Sequence, residues 1–339
     1  MIAESNAPGS LPGEFELIAR YFAPIASAFP GALGLKDDVA LLDLTPGHRM
    51  AATTDAVVAG VHFLPDDPPE LIAKKLVRVN VSDLAAKGAK PLACLLALAL
   101  PRSTTPAWLD AFAKGLAEDC AAFAMPLVGG DTTATDGPLT LALTAMGEVP
   151  EGQVPLRSGA RIGDRIFVSG TIGDGALGLD VAKGGLGELA APLRDHLLRR
   201  YRLPEPRIGL GLALRGLIHA AIDVSDGLVA DLGHICAASG VGAEIQAAMV
   251  PMSDAAQMAL ARDPTRLAQV LTGGDDYELL FAADPSQSDR IVEAGIAVGV
   301  PVTGIGFIVA PPPEGATRVK IGDQVAVETI LRFAGYKHF

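Results

Sequence analysis

The sequence predicts a mixed α and β protein of two domains, and three observations carry that expectation. Short β-like runs alternate with Ala/Leu-rich helical stretches along the whole chain. Its 339 residues exceed the usual size of one domain. Between Glu148 and Arg165 the text changes to EVPEGQVPLRSGARIGDR, dense in Pro, Gly and charge as linkers are. The expected organisation is a leader over 1–13, an N-terminal domain over 14–150 and a C-terminal domain over 151–339.

The leader, MIAESNAPGSLPG, has neither the basic nor the apolar region of a signal peptide and reads as a mobile segment. Residues 14–29 place Phe15, Ile18, Ala19, Phe22 and Ile25 at helical spacing, and Pro30-Gly31 stops the pattern. Strands are expected over 39–44, 50–53 and 92–100, then a helix over 107–124 and a strand entering Gly129-Gly130. A further strand runs from Leu139 to Val149. The second series has strand 166–170, helix 176–183, a charged stretch 189–207, strand 221–225, helix 227–239 and strand 243–246. Pro311-Pro312-Pro313 marks a loop, and no short-period repeat is visible.

Half the residues are apolar and 19% are charged, which excludes a disordered chain. With 27 Lys+Arg against 39 Asp+Glu the formal charge is −12, which argues against nucleic acid and anionic lipid as partners. The longest apolar run, Leu92 to Leu100, is far shorter than the ~20 residues of a membrane span. A cytoplasmic protein with no membrane partner is expected. Cys94, Cys120 and Cys236 form no CxxC pair and read as buried reduced thiols.

The acids have a pattern of their own: GLKDDVALL (Asp37, Asp38), TTDAVVAGVHF (Asp55), VNVSDLAAKGA (Asp83), LVGGDTT (Asp131), AIDVSDGL (Asp223, Asp226) and LTGGDDYELLF (Asp275, Asp276). Asp beside Gly or Ser is ordinary turn and cap chemistry. Six such motifs, each joined to an apolar segment that should be buried, go beyond it, because buried carboxylates must be paired or must ligate a cation. The donors are all oxygen, Thr53 and Thr54 can add theirs, and no His/Cys cluster exists for zinc, so the cation implied is Mg²⁺. Of six histidines none pairs with another at ligand spacing, and His62 stands out for its closeness to the acids. Gly173 to Gly178 matches GxGxxG, but the charged LRDHLLRRYRLPEP that follows is no second strand ending in an acid, so a dinucleotide site is not expected. P-loop and protein-kinase signatures are absent.

These motifs, in this order, resemble the thiamine-monophosphate kinase family of the PurM-like superfamily. The likeness runs from GEFELIARYF at 13–22 through DDVALL, TTDAVVAGVHFLP, VNVSDLAAKGAKP, GGDTT, LRSGARIGD, AIDVSDGLVADLGHI and GGDDYEL to GYKHF at 335–339. It implies an α+β, PurM-like two-domain fold, with an N-terminal sheet domain forming a barrel-like dimer core and a C-terminal α/β domain. It also implies a homodimer that converts thiamine monophosphate to thiamine diphosphate with ATP and Mg²⁺. Carried over by position, the metal ligands fall on Asp38, Thr53, Thr54, Asp55, Asp83, Asp131, Asp223 and Asp226, with Asp83 and Asp131 central to turnover. Nucleotide contacts fall on Gly130, Asp131, Arg157 and Ser225, and thiamine-phosphate contacts on His62, Asp275 and Phe333. This chain departs from the family's usual text at Lys36 (Gly), Asp275 (Glu) and Phe333 (an aromatic, often Trp). Sister ATP enzymes of the superfamily and a non-catalytic nucleotide-binding regulator are the competing readings. A selenophosphate synthetase would want a reactive Cys near the N-terminus, whereas the first here is Cys94 in an apolar run.

Overall fold

The computed structural model describes residues 11–313 and 315–322. The chain divides into two compact units, the first of Met1–Leu84 with Lys90–Glu148 and the second of Ala85–Ala89 with Val149–Phe339.

The first unit opens with a helical segment made of α1 (Glu14–Leu17), a π-helical turn (Ile18–Phe22) and α2 (Ala23–Ala26). Leu17, Tyr21, Phe22 and Ala26 bury its inner face, while Phe15 is 85% exposed. β1 (His48–Val58), α3 (Pro69–Ala86), β2 (Lys90–Pro101), α4 (Pro106–Ala122), β3 (Leu127–Thr135) and β4 (Thr140–Pro150) follow. The strands form one sheet in the order β1-β4-β2-β3, with β2 parallel to β3 and antiparallel to β4. Strand alternation puts Cys94, Leu96, Leu98 and Leu100 of β2 into the core and leaves Leu95 38% exposed on the other face.

Two differences from the sequence expectation concern this unit. Residues 39–44 form no strand: Val39 and Leu41 are exposed, and the Leu41 N–H donates to the Gly31 carbonyl. α3 is an element that the reading of strands and helices above leaves out. Its Val77, Val79 and Val81 repeat with a period of two, yet all three are buried because this helix is enclosed on most of its surface.

α3 and α4 are locked together. Arg78 donates from Nε to Asp119 Oδ2 at 2.6 Å and from Nη2 to Oδ1 at 3.1 Å, a fork on a carboxylate whose side chain is 4% exposed. Gly115 lets the helices approach, since a Cβ there would lie 2.3 Å from the Glu70 carbonyl oxygen. α4 starts where Thr105 accepts the Trp108 N–H and Pro106 supplies a preset φ.

The second unit holds β5 (Arg165–Ser169), α5 (Asp174–Ala182), α6 (Ala191–Arg202), α7 (Ile208–Ala213), β6 (Ala220–Asp223) and α8 (Leu228–Ser239). It continues with β7 (Gly242–Gln246), α9 (Asp254–Arg262), α10 (Leu267–Thr272), β8 (Leu279–Ala283), α11 (Ser288–Ala297), β9 (Val302–Val309) and β10 (Val319–Gly322). Its sheet runs β10-β7-β9-β5-β8-β6, all pairs antiparallel except β10 with β7. Phe167 and Phe281 face each other across β5 and β8 and stack with centroids 5.5 Å apart. The short strand β6 ends at Asp223, and the loop that holds Asp275, Asp276 and Glu278 leads into β8.

Helix propensity alone would make Gly115→Ala stabilising by about 1 kcal/mol. Contact with the Glu70 backbone should reverse the sign, giving a net loss of roughly 1–3 kcal/mol, read as a lower urea midpoint. A raised midpoint would contradict the close approach.

Candidate active site

In the first unit β1 and α3 bring three of the expected residues together. Thr53, Asp55 and Val57 point to the α3 side of β1, where Thr53 Oγ1 donates to Asp83 Oδ2 at 2.5 Å. The Asp55 N–H donates to Asn80 Oδ1 at 3.1 Å. Asn80 is fully buried, and its Nδ2 donates to the Leu76 carbonyl one turn back, which fixes the amide. Asn80 and Asp83 are three apart on one helix face, so α3 meets β1 at two points. Burial, and then the charge of Asp83, push the Asp55 carboxyl up to about 6. Thr54 projects to the other face, where its hydroxyl donates to the Leu143 carbonyl and accepts from Thr144. Period-two alternation therefore separates Thr54 from the Thr53, Asp55 and Asp83 side chains.

His62 lies in the turn after β1. Its Nδ1 accepts the Val58 N–H at 3.1 Å, so the neutral ring carries its proton on Nε2 as a donor. Lys75 of α3 donates to the His62 carbonyl at 3.1 Å. Asp38, Gly130 and Asp131 line one cavity of about 1130 Å³, together with Phe22, Leu35 and Leu96. Gly130 is required there by space, since a Cβ would lie 1.9 Å from the Leu96 carbonyl oxygen on the neighbouring strand. Asp131 follows it with its side chain exposed and Oδ1 accepting the Thr132 N–H.

The second unit gathers Asp223, Ser225, Asp226 and Asp275. Asp223 ends β6, and the turn after it is shaped by Asp231 of α8, whose Oδ2 accepts the N–H groups of Ser225, Asp226 and Gly227 at 3.0, 3.0 and 3.1 Å. Burial and the charges of Asp223 and Asp226 push Asp231 up to about 8, against the pull of those backbone donors. Ligand atoms of Asp226, Asp231 and His234 lie within 4.8 Å of one another. The loop after α10 is laced to the same turn: Asp275 N–H donates to the Ser225 carbonyl at 2.9 Å and Tyr277 N–H to the Val224 carbonyl at 2.8 Å.

Asp276, grouped above with the other acids, has a structural task. Its buried carboxylate accepts the Gly173 and Gly175 N–H groups at 2.7 and 2.9 Å, so it caps α5. That accounts for the GxGxxG text: a Cβ on Gly175 would lie 2.3 Å from the Asp275 carbonyl oxygen, and the helix N-terminus is capped by an internal carboxyl that burial pushes up to about 8. Glu278 next to it is fully buried and accepts from Arg200, Arg207 and Ser169. Arg157 is exposed, with its carbonyl held by Ser239 at the end of α8 away from Ser225. Phe333 lies outside the described residues.

Asn80, Asp231, Tyr277 and Glu278 were not singled out by sequence reasoning. Asn80 and Asp231 each sit in a motif already quoted; Asn80 lies three residues from Asp83 on one helix, a spacing that could have flagged it. The three cysteines are buried and unbridged, with Cys94 Sγ and Cys120 Sγ 4.0 Å apart. No helix among the described residues is long and apolar enough to cross a membrane.

Comparison with known proteins gives a consistent result. The family described as AIR synthase related protein matches with its N-terminal domain over residues 36–149 and its C-terminal domain over residues 161–318. A thiamine-monophosphate kinase of Caulobacter vibrioides is 44% identical over 310 residues, covering 90% of this chain and 87% of the relative. The crystal structure of thiamine-monophosphate kinase from Stenotrophomonas maltophilia superposes with a TM-score of 0.80 at 40% identity, covering 91% of this chain and 96% of that one. AaThiL complexed with AMPPCP and TMP superposes with a TM-score of 0.75 at 30% identity, covering 96% and 97%.

The raised Asp55 carboxyl has a consequence for stability. The folded chain holds that proton more tightly than the unfolded chain, so the contribution is full below about pH 4 and is lost as pH rises through about 6. Asp55→Asn, which cannot ionise, should raise the melting temperature near neutral pH in a chelating buffer and leave it unchanged near pH 4. Equal effects at both pH values would show that charge is not the cause.

Proposed function

The chain belongs to the thiamine-monophosphate kinase family of the PurM-like superfamily, and from that premise we propose that it phosphorylates thiamine monophosphate with ATP. The observation that carries this activity is 44% identity over 90% of the chain to a protein of that name. The complex of AaThiL with TMP and AMPPCP, an ATP analogue, supports both substrates. In the reaction a terminal oxygen of thiamine monophosphate forms a bond to the γ-phosphorus, and the bond from that phosphorus to the β,γ-bridging oxygen breaks, giving thiamine diphosphate and ADP.

The acceptor is a phosphate monoester whose second pKa near ~6 leaves it mostly ionised at neutral pH. It needs no strong base, and the absence of a nucleophilic triad from the sequence fits that. The burden is to bring two polyanions together in a chain whose formal charge is −12. The all-oxygen set Thr53, Asp55 and Asp83, held together by the Thr53 to Asp83 bond, fits a hard cation such as Mg²⁺. Asp38, Thr54 and Asp131 in the first unit, and Asp223 and Asp226 in the second, are proposed as further ligands, with Asp83 and Asp131 the most sensitive. Mg²⁺ held by these residues would supply charge neutralisation to the phosphates. Gly130, Arg157 and Ser225 are assigned to the nucleotide. His62, through its Nε2 proton, Asp275 and Phe333 are assigned to the acceptor. Dependence on ATP supports a cytoplasmic setting.

We also propose a homodimer built on the first unit's sheet. Its outer face carries exposed Met50, Ala52, Thr54, Leu95 and Ala97, a largely apolar surface suited to packing on another sheet. β1 and β3 are opposite edges of that sheet, three strand spacings or roughly 14 Å apart. One ion cannot join Asp55 to Asp131 across that span, whereas closing two sheets into a barrel sets the β3 edge of one copy beside the β1 edge of the other.

Purified chain given thiamine monophosphate, ATP and Mg²⁺ should form thiamine diphosphate; folded protein with no product above the blank would defeat the assignment. Asp131→Asn should nearly abolish turnover with an unchanged circular dichroism spectrum, and wild-type activity would remove that residue from the site. Light scattering should return a two-chain mass, and a monomer that is fully active would sink the dimer.

A further inference from the structure

The loop from Gly274 to Glu278 is fixed on two sides. Toward the acidic turn, Asp275 and Tyr277 donate their N–H groups to Ser225 and Val224, and a Cβ on Gly274 would lie 2.0 Å from the Ser225 carbonyl oxygen. On the other side Asp276 caps α5, Arg200 Nη2 donates to the Asp276 carbonyl at 3.0 Å, and Glu278 is gripped by Arg200 at 2.9 Å and by Arg207 Nε at 2.7 Å. Asp275 and Tyr277 are both left-handed, with φ of 69° and 53°, a conformation that side-chain-bearing residues adopt only when neighbours hold them there. Asp276 and Glu278 are buried, while Asp275 and Tyr277 are half-buried. The Tyr277 hydroxyl donates to Asp275 Oδ1 at 3.0 Å.

We propose that Tyr277 is a positioning residue for thiamine-phosphate recognition: its hydroxyl sets the orientation of the Asp275 carboxylate and thereby the affinity for the acceptor, not for ATP. This rests on the assignment of Asp275 to the acceptor made above. Asp275 is short, with two rotatable bonds, and a phenol anchored by a clamped backbone removes its rotational freedom before substrate arrives. The hydroxyl is also two residues from the carboxylate it serves, so one rigid strand of loop carries both groups. Asp276 and Glu278 contribute at one remove, by fixing the backbone on which this pair is mounted.

The test is a double-mutant cycle of Tyr277→Phe and Asp275→Gly, glycine being chosen because it accepts the φ of 69° without strain. Tyr277→Phe keeps the ring and should raise KM for thiamine monophosphate by roughly tenfold, as loss of a hydrogen bond to a charged group does, with kcat and KM for ATP unchanged. In the Asp275→Gly background the same change should have no further effect. Additive losses in the double variant would mean that the phenol acts on substrate directly and would overturn the proposal. So would a Tyr277→Phe enzyme with unchanged KM while Asp275→Gly is impaired, which leaves the assignment of Asp275 standing. If Asp275→Gly itself leaves KM unchanged, that assignment falls first and the proposal falls with it. Melting temperatures of the variants, expected to match the wild type for Tyr277→Phe, separate recognition from loss of fold.

Discussion

Thr53 and Asp55 are held against α3 by two hydrogen bonds, one to Asp83 and one from the Asp55 backbone to Asn80. This small junction has to resist a large opposing force, because Asp55 and Asp83 repel each other and burial has already raised the proton affinity of Asp55. Carboxylates do not gather on their own account. The structure holds them by fixing backbone: α3 is bolted to α4 through Arg78 and Asp119, Gly115 draws the helices close, and Asn80 then sets where β1 lies. Repulsion between the two carboxylates is left standing, opposed by the scaffold around them.

The second unit positions its acids differently. They are mounted on turns, and the turns are shaped by other acids. Asp231 organises the Ser225 to Gly227 turn through three backbone donors, and Asp276 organises the start of α5 through two. Each shaping carboxyl is buried and accepts backbone N–H groups, yet burial outweighs those donors and pushes both Asp231 and Asp276 up to about 8. Asp231 and Asp276 are thus set apart by the two or three backbone N–H groups that each accepts.

That division explains what was legible in the sequence. Strands such as 92–100 and the helix at 107–124 could be read because alternation or helical spacing matches a one-sided core. α3 could not, since a helix buried on most sides loses its amphipathic signature and its alternating valines imitate a strand. The motifs located the acids, and the resemblance gave them roles. Nothing in AIDVSDGLVADL or GGDDYEL announces that Asp231 and Asp276 face backbone while Asp226 and Asp275 do not, because that depends on left-handed φ values and on contacts many residues away. The segment 39–44 misled for the opposite reason, being apolar enough for a strand while Val39 and Leu41 stand exposed.

The capped end of α5 bears on ligand selectivity. A helix that begins at Gly173 with bare backbone donors ordinarily attracts any small anion within reach. Here the chain fills that place with the Asp276 carboxyl, whose two oxygens already occupy the Gly173 and Gly175 N–H groups. An enzyme that works among ATP, ADP and two thiamine phosphates has thereby removed a place where any of them could lodge unproductively.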